Sequence, residues 1–386
     1  MSIGSLCSEL SNIFEPMNWF ILIALAIFSA LFLYLGFRIT GIGNYSWLVA
    51  TISIGLLLLY PLVWYGILPD RLDKVVRAVV HFDMGFLSIM VIFLIVRDII
   101  FVPLKSIKPQ WAATAFSCTI FYIMAVVTVV LLAYGYWNAQ QGPKVVTIEV
   151  PMKDLPVALQ NYSILQITDL HAGAGIDREY VQHVVDVARG TKVDLIALTG
   201  DIADGDFSKF KDCLEPLQEL PKQSPVLYIM GNHEYIRDDE QWLAYFKKTG
   251  FTVLLNEHMV IKKGDASIIF AGVIDPAAKE TDPEKGPSIA QSLQGSPTTD
   301  VRILLAHQPN IAKEAAAHFD LQLSGHTHAG QFFPWNIAIK VLQPYAYGLK
   351  KCSSMWVYTN PGTGYWGPPI RLGTTSEISI IKLKKA

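Results

Sequence analysis

The hydrophobic pattern divides the chain in two. Met17 to Phe37 is nearly unbroken apolar sequence, long enough at about 1.5 Å per residue to cross a hydrocarbon core of about 30 Å. It predicts a membrane helix over 17–37. A cleaved leader is the rival reading, but the segment lacks a basic start, is too long, and ends at Gly36-Phe37-Arg38 without small cleavage residues. Asn44 to Leu68 predicts a second span over 44–68, with Pro61 as a tolerated kink. A third, 78–102, carries His81, Asp83, Arg97 and Asp98, and a fourth, 112–137, ends in the aromatic belt Tyr134, Tyr136 and Trp137. Ionisable residues inside a span are expensive and often functional, yet these four lie near the ends of theirs, where side chains can snorkel to an interface. The expectation is a region of about four transmembrane helices over 1–140.

Beyond it the texture changes. Gln140-Gln141-Gly142-Pro143 opens a stretch, 141–160, that reads as a linker, and 161–386 alternates short apolar runs with polar, helix-like stretches, as an α/β domain does. Strands are expected at Ser163–Thr168, Asp194–Thr199, Val226–Met230, Ser267–Ala271, Arg302–Ala306 and Asp320–Leu323. Helices are expected around Glu179–Arg189, Phe207–Leu220, Glu240–Lys248 and Ile311–His318.

Composition sharpens this division. The chain is 52% apolar and only 17% charged, which fits a protein partly in lipid. Of 31 basic and 33 acidic residues, 8 and 6 precede residue 145, leaving 23 and 27 in the second part. That slightly acidic balance argues against nucleic acid as a partner. Cys7, Cys118, Cys213 and Cys352 show no C-x-x-C spacing, so neither a thiolate metal site nor a disulfide framework is indicated.

Candidate chemistry gathers where the predicted strands end. Asp169-Leu170-His171 follows the first strand, Gly200-Asp201-Ile202-Ala203-Asp204 the second, and Gly231-Asn232-His233-Glu234 the third. His307 closes the fifth, and Gly325-His326-Thr327-His328 follows the sixth. Each cluster alone has an ordinary reading as a turn or a helix cap. Five in order at strand ends are another matter, because ligands of open α/β sheets bind outside the carboxyl ends of the strands. Residues two apart on an extended segment can aim at one point, which is the expectation for Asp169 with His171 and for His326 with His328.

These motifs, read together, resemble the calcineurin-like metallophosphoesterase superfamily over about Ser163 to His328. Gly330-Gln331, Asn360-Pro361-Gly362-Thr363-Gly364 and Gly367-Pro368-Pro369 extend the likeness to a membrane-attached bacterial branch. The resemblance implies two β-sheets flanked by helices and two metal ions. Asp169, His171 and His328 would hold one ion, Asn232, His307 and His326 the other, and Asp201 would bridge them. Imidazole, carboxylate and amide donors suit Mn, Fe or Zn. Two such ions can activate a water and clamp a phosphoryl group, so no Ser or Cys nucleophile is required. His233 would then protonate the leaving oxygen with Asp204 holding its ring, and Glu234 would serve structure only.

Departures from the family narrow the substrate. Gly205-Asp206 follows Asp204 where the superfamily's protein phosphatases carry Arg, which argues against phosphoproteins. Four spans exceed what an anchor needs and favour an amphiphilic substrate. The leading expectation is therefore hydrolysis of a phosphodiester or pyrophosphate in a lipid-linked or nucleotide-linked membrane metabolite. A tethered phosphodiesterase for a soluble small molecule and a non-catalytic membrane sensor are the alternatives. Phe332-Phe333-Pro334-Trp335 and the residues after it read either as a loop on the sheet edge or as an apolar, basic-rimmed lip meeting the bilayer. Loop charges nearly balance, with Arg71, Lys74, Arg77 and Lys144 against Arg38, Arg97, Lys105 and Lys108. The expectation is a bacterial inner membrane with the catalytic domain on its cytoplasmic side.

Overall fold

A computed structural model describes residues 68–386 continuously, residues 59–64, and scattered positions between 26 and 56. The chain forms two compact units, residues 1–130 and 131–386. The spans expected at 17–37 and 44–68 fall largely outside the described residues. Among those described, two helices are long and apolar enough to cross a membrane, Arg71–Leu104 and Cys118–Gln140. The second begins later than the 112–137 expected. Pro109 starts a short helix that ends at Ala115, and Ser117 Oγ then accepts the backbone N–H of Ile120 at 3.4 Å, capping a new helix from Cys118. Asp98 is buried in an ion-pair cluster, where its carboxylate accepts from Arg97 at 2.8 Å, Arg38 at 2.6 Å and the Tyr34 hydroxyl at 2.5 Å.

The 131–386 unit is built on two six-stranded sheets, with strands numbered in chain order. The first sheet runs β1 (Lys144–Met152), β14 (Glu377–Lys385), β2 (Ser163–Ile167), β4 (Leu195–Thr199), β6 (Val226–Ile229) and β7 (Thr252–Val253). The second runs β12 (Gly348–Cys352), β13 (Met355–Thr359), β11 (Leu321–Ser324), β10 (Val301–Leu305), β9 (Ala266–Gly272) and β8 (Glu257–Lys263). A two-stranded ribbon, β3 (Ala172–Gly173) with β5 (Ala203–Asp204), lies at the loop end.

Strand periodicity assigns each buried side chain to a layer. In β2, Leu165 and Ile167 join Val181, Val184 and Val185 of the helix Arg178–Arg189 and Trp242 and Phe246 of the helix Asp239–Lys248. Ile164, on the other face, joins Ile268, Phe270, Ile303 and Leu323 of the second sheet. That sheet's far face packs Ile269 and Leu304 on Ala312, Ala315 and Phe319. The result is the expected pair of sheets flanked by helices, and all six expected strands form. The helix expected over Phe207–Leu220 becomes a single α-turn at Phe207–Phe210 and a 3₁₀ run, Lys211–Lys222, containing Pro216 and Pro221, neither of which can donate an α-helical hydrogen bond.

One boundary needs correction. The stretch 141–160, read as a linker, contains β1, which pairs in parallel with β14 along its whole length from Lys144 to Met152. Val150 and Met152 are buried while Lys144, Val145 and Glu149 are exposed, so the segment is a half-covered edge strand. Its polar face and opening Gly142-Pro143 gave it the look of a connection.

Candidate metal centre

Three adjacent parallel strands of the first sheet, β2, β4 and β6, deliver Asp169, Asp201 and Asn232 from their carboxyl ends. Two adjacent parallel strands of the second, β10 and β11, deliver His307 and the pair His326 and His328. Backbone hydrogen bonds tie the loops across: Asp169 N–H to the Gly200 carbonyl at 3.0 Å, and Gly325 N–H to the His307 carbonyl at 2.9 Å. The glycines of these motifs have a steric cause. A Cβ on Gly231 would lie 2.2 Å from Asp201 Oδ1, and one on Gly325 would lie 2.1 Å from Asp169 Oδ2.

The chain leaving these strands is not extended. Asp169, His171, Asp201, His326 and His328 all have positive φ, between 50° and 70°, a region that Asp and His enter more readily than most residues and that concentrates at functional sites. Asp169 and His171 still reach one place, but His326 and His328 diverge, against the expectation for an extended segment. His328 Nε2 lies 3.0 Å from His171 Nε2 and 3.4 Å from Asp169 Oδ1. His326 Nδ1 lies instead 2.9 Å from Asn232 Oδ1 and 3.3 Å from His307 Nε2.

Two donor clusters result, and one carboxylate oxygen faces both. Asp201 Oδ2 is 3.1 Å from His307 Nε2 and 3.7 Å from His171 Nε2, while its Oδ1 is held by the backbone N–H of His233 at 2.9 Å.

The donor set fits divalent metal ions. Ligands about 2.1 Å from an ion stand about 3.0 Å apart at octahedral angles and about 3.4 Å apart at tetrahedral ones, which is the spacing of the contacts just given. Proton bookkeeping agrees. His307 Nδ1 donates to the Thr199 carbonyl at 2.8 Å, so in the neutral ring Nε2 carries a lone pair, yet it faces Asn232 Oδ1 at 3.1 Å and the Asp201 carboxylate. Acceptors facing one another call for positive charge between them, supplied by a proton or by a metal ion. Burial works against a protonated His307, but Asp201 outweighs it and raises its pKa well above the ordinary value, which shows how strongly the place favours positive charge. The Nδ1 atoms of His171 and His328 are buried without a hydrogen-bond partner.

His233 sits at the edge of this centre, its ring edge-on to His171 with centroids 4.6 Å apart. Its Nδ1 is 2.9 Å from Asp204 Oδ1. Burial would lower its pKa, but Asp204 and Asp201 prevail and raise it to about 9. For Asp204, burial opposes ionisation, and the His233 and His171 rings outweigh it, holding its pKa below the usual carboxylate range. His326 has the opposite balance: burial, with His307 beside it, lowers its pKa to about 3, leaving a neutral ring free to act as a ligand.

Two supports surround the site, one of them missed in the sequence. Glu234, expected to serve structure, is fully buried and accepts the backbone N–H groups of Asp201, Ile202, Ala203 and Gly231 at 2.5–3.0 Å. Arg371 carried no signal, standing alone in Pro-Ile-Arg-Leu 43 residues after His328. Its buried guanidinium donates to the carbonyls of His328, Pro361, Gly362 and Gly364 at 2.5–3.3 Å. It thereby locks the His328 loop to the Asn360–Gly364 stretch, whose Gly364 N–H in turn bonds the Asp169 carbonyl at 3.0 Å.

Comparison with known proteins agrees with this centre. A family model for calcineurin-like phosphoesterases matches residues 162–330. A transmembrane protein with metallophosphoesterase domain from Danio rerio is 34% identical over 291 residues, covering 73% of this chain and 66% of that protein. The chain thus spans just under two thirds of that relative's length. An uncharacterized metallophosphoesterase of Helicobacter pylori (strain J99) is 34% identical over 259 residues, covering 66% of this chain and 68% of that protein. Among solved structures, the 5'-nucleotidase precursor from Thermus thermophilus matches with a TM-score of 0.38 and 15% identity, over 57% of this chain and 55% of that one. The chain belongs to the calcineurin-like metallophosphoesterase family. Two of its described helices are long and apolar enough to cross a membrane, and its Asp and His clusters offer a donor set for divalent metal.

Proposed function

We propose that the chain is a dinuclear hydrolase of phosphodiester or pyrophosphate bonds, acting on a lipid-linked or nucleotide-linked membrane metabolite. The observation that carries the reading is Asp201 Oδ2, within 3.1 Å of His307 Nε2 and 3.7 Å of His171 Nε2, one oxygen between two donor clusters. Asp169, His171 and His328 would hold one ion and Asn232, His307 and His326 the other, with Mn, Fe or Zn suited to these donors. When bound, the pair supplies an activated water and a clamp on the phosphoryl group.

The remaining work falls to His233. Asp204 engages Nδ1, so the proton this ring can deliver to a leaving oxygen is the one on Nε2. Asp204 is a positioning residue that fixes the ring and favours its protonated form. The membrane helix Cys118–Gln140 runs directly into the catalytic unit, which supports a substrate drawn from the bilayer.

The test is hydrolysis by the full chain purified in detergent and supplied with Mn, Zn or Fe. Bis-p-nitrophenyl phosphate, its monoester and a panel of lipid pyrophosphates are compared. The reading expects turnover of the diester and of at least one lipid pyrophosphate, and little of the monoester. Diester turnover with every lipid inert would point to a tethered enzyme for a soluble substrate. No turnover at two bound ions per chain would overturn the hydrolytic reading.

A further inference from the structure

Where the membrane helix enters the catalytic unit, the structure contains a second cavity. It measures about 330 Å³, within the range of small-ligand sites, and is lined by Tyr134 and Asn138 of that helix together with Lys144, Lys340, Tyr347 and Glu377. The helix is firmly joined to the unit here. Asn138 Nδ2 donates to the carbonyls of Arg371 at 2.9 Å and Thr374 at 3.2 Å, and a Cβ on Gly135 would stand 2.6 Å from Ile370 Cγ2.

The depth of this cavity relative to a bilayer follows from the helix. Tyr134, Tyr136 and Trp137 are all more than half exposed at its last turns, and such an aromatic cluster sits at the head-group level of a membrane. Tyr134 and Asn138 belong to those turns, so the cavity opens at the same level. On its other side stands the helix Trp335–Leu342, which contributes Lys340 and turns Ile337, Val341 and Leu342 outward at 57%, 82% and 76% exposure. A short helix with exposed aliphatic residues and a lysine, beside a membrane helix, has the character of an interfacial element.

The lining has a definite chemistry. Among the described residues neither Lys144 nor Lys340 forms a salt bridge, so two ammonium groups are available to one anion. Glu377 is already engaged within the protein: Oε1 accepts from Thr375 Oγ1 at 3.0 Å and from the Tyr347 hydroxyl at 3.4 Å, and Oε2 is buried. Two cations lining one cavity match a phosphate.

We propose that this cavity binds the head group of an anionic bilayer phospholipid, with Lys144 and Lys340 on the phosphate. Its lining includes none of the residues placed at the metal centre, and the proposal does not depend on which substrate the metals hydrolyse. It seats the catalytic unit against the membrane surface at a fixed height.

The experiment uses the full chain in neutral detergent micelles doped with phosphatidylglycerol or phosphatidylcholine, or supplied with inorganic phosphate, and reads the melting temperature. Phosphatidylglycerol is expected to raise Tm by several degrees, with phosphatidylcholine and phosphate giving little. The pair K144E/K340E should lose the shift, and K313E, an exposed lysine elsewhere, should keep it. Should the charge reversals impair folding, K144Q/K340Q poses the same question. No shift in the unmodified chain, equal loss in K313E, or equal protection by inorganic phosphate would each overturn the assignment. None of these outcomes bears on hydrolysis at the metals, so this proposal and the hydrolytic one fail separately.

Discussion

The Glu234 carboxylate lies beneath the backbone of Asp201: Oε2 accepts the Asp201 N–H at 3.0 Å and the Gly231 N–H at 2.7 Å. One buried side chain thus fixes both the loop that presents Asp201 and the turn that presents Asn232. Its Oε1 takes the N–H groups of Ile202 and Ala203 as well. Glu234→Ala would leave these donors buried and unmatched, at a cost of about 1–3 kcal/mol for each one that finds no water. The expected outcome is a lower melting temperature and less than the normal metal per chain, read by calorimetry and elemental analysis. Unchanged metal content would mean that the loop holds its shape without this anchor.

Asp201→Asn tests the bridge itself. An amide cannot offset the repulsion between two cations as a carboxylate does, so bound metal should fall below two ions per chain and turnover should vanish. The Oδ1 contact to the His233 N–H can persist in the variant, so the fold should survive. Two ions retained with normal turnover would remove Asp201 from the bridging position.

His233→Ala should lower kcat by roughly 10²–10⁴-fold with metal content unchanged, the range that proton transfer by a positioned side chain contributes. A diester with a strongly acidic leaving group needs that proton less and should be less affected. Asp204→Asn should follow the same pattern more weakly, because it changes the setting of the ring and leaves the ring in place. Loss of metal in His233→Ala would make it a ligand.

Away from the metals, Asp194 joins the starts of β2 and β4: it accepts the Ser163 N–H at 2.8 Å and Lys263 Nζ at 2.6 Å. Burial would raise its pKa, but Lys263 and Ser163 prevail and lower it. A depressed carboxylate stabilises the fold above its unfolded pKa of about 3.9, and that contribution is lost as pH falls through the folded value. Asp194→Asn should therefore melt below the unmodified chain at neutral pH, and the gap should close on acidification below about pH 4. Tm measured across pH for both chains decides it, and a gap that is constant with pH would assign the loss to packing.

The candidate metal-binding residues could be read from the sequence because each stands shortly after a strand, and strand ends are marked by the switch from apolar runs to Gly and Asp. Their division into two clusters came from the family resemblance alone, since it depends on positive φ at His326 and His328, which no spacing rule conveys. Arg371 was invisible for another reason. It bonds only carbonyl oxygens, so its partners are backbone atoms and leave no complementary residue type in the chain. The β1 strand was taken for a linker because only one of its faces is covered. The residues after Phe332 read as neither helix nor strand, and they form a helix, Trp335–Leu342, that buries Asn336 and exposes Ile337, Val341 and Leu342, the reverse of the usual amphipathic pattern.

That last segment supports a prediction that separates residues first read as one lip. Phe332 is buried at 6% exposure and its backbone N–H meets the Gly330 carbonyl, while the next residue, Phe333, bonds the Leu372 carbonyl at 3.0 Å. It belongs to the packing between the Gln331 turn and the 366–372 stretch, to which Gln331 also bonds through the Trp366 and Pro368 carbonyls. Val341 is 82% exposed and Trp335 39%, so most of Val341 and a smaller part of Trp335 face outward. Phe332→Ala should behave as a core truncation, costing roughly 3–5 kcal/mol and depressing turnover of every substrate alike as the fold loosens. Replacing Ile337, Val341 and Leu342 by Ser should leave Tm nearly unchanged, since surface substitutions are usually worth within about 0.5 kcal/mol. If these side chains enter the bilayer, the loss should fall on kcat/KM for a lipid presented in vesicles, much more than for a soluble diester. The two variants assayed together, each with a melting curve, therefore test the membrane contact against the packing alternative. A triple Ser variant that melts as low as Phe332→Ala would show that the helix is held by its apolar residues and not applied to a membrane.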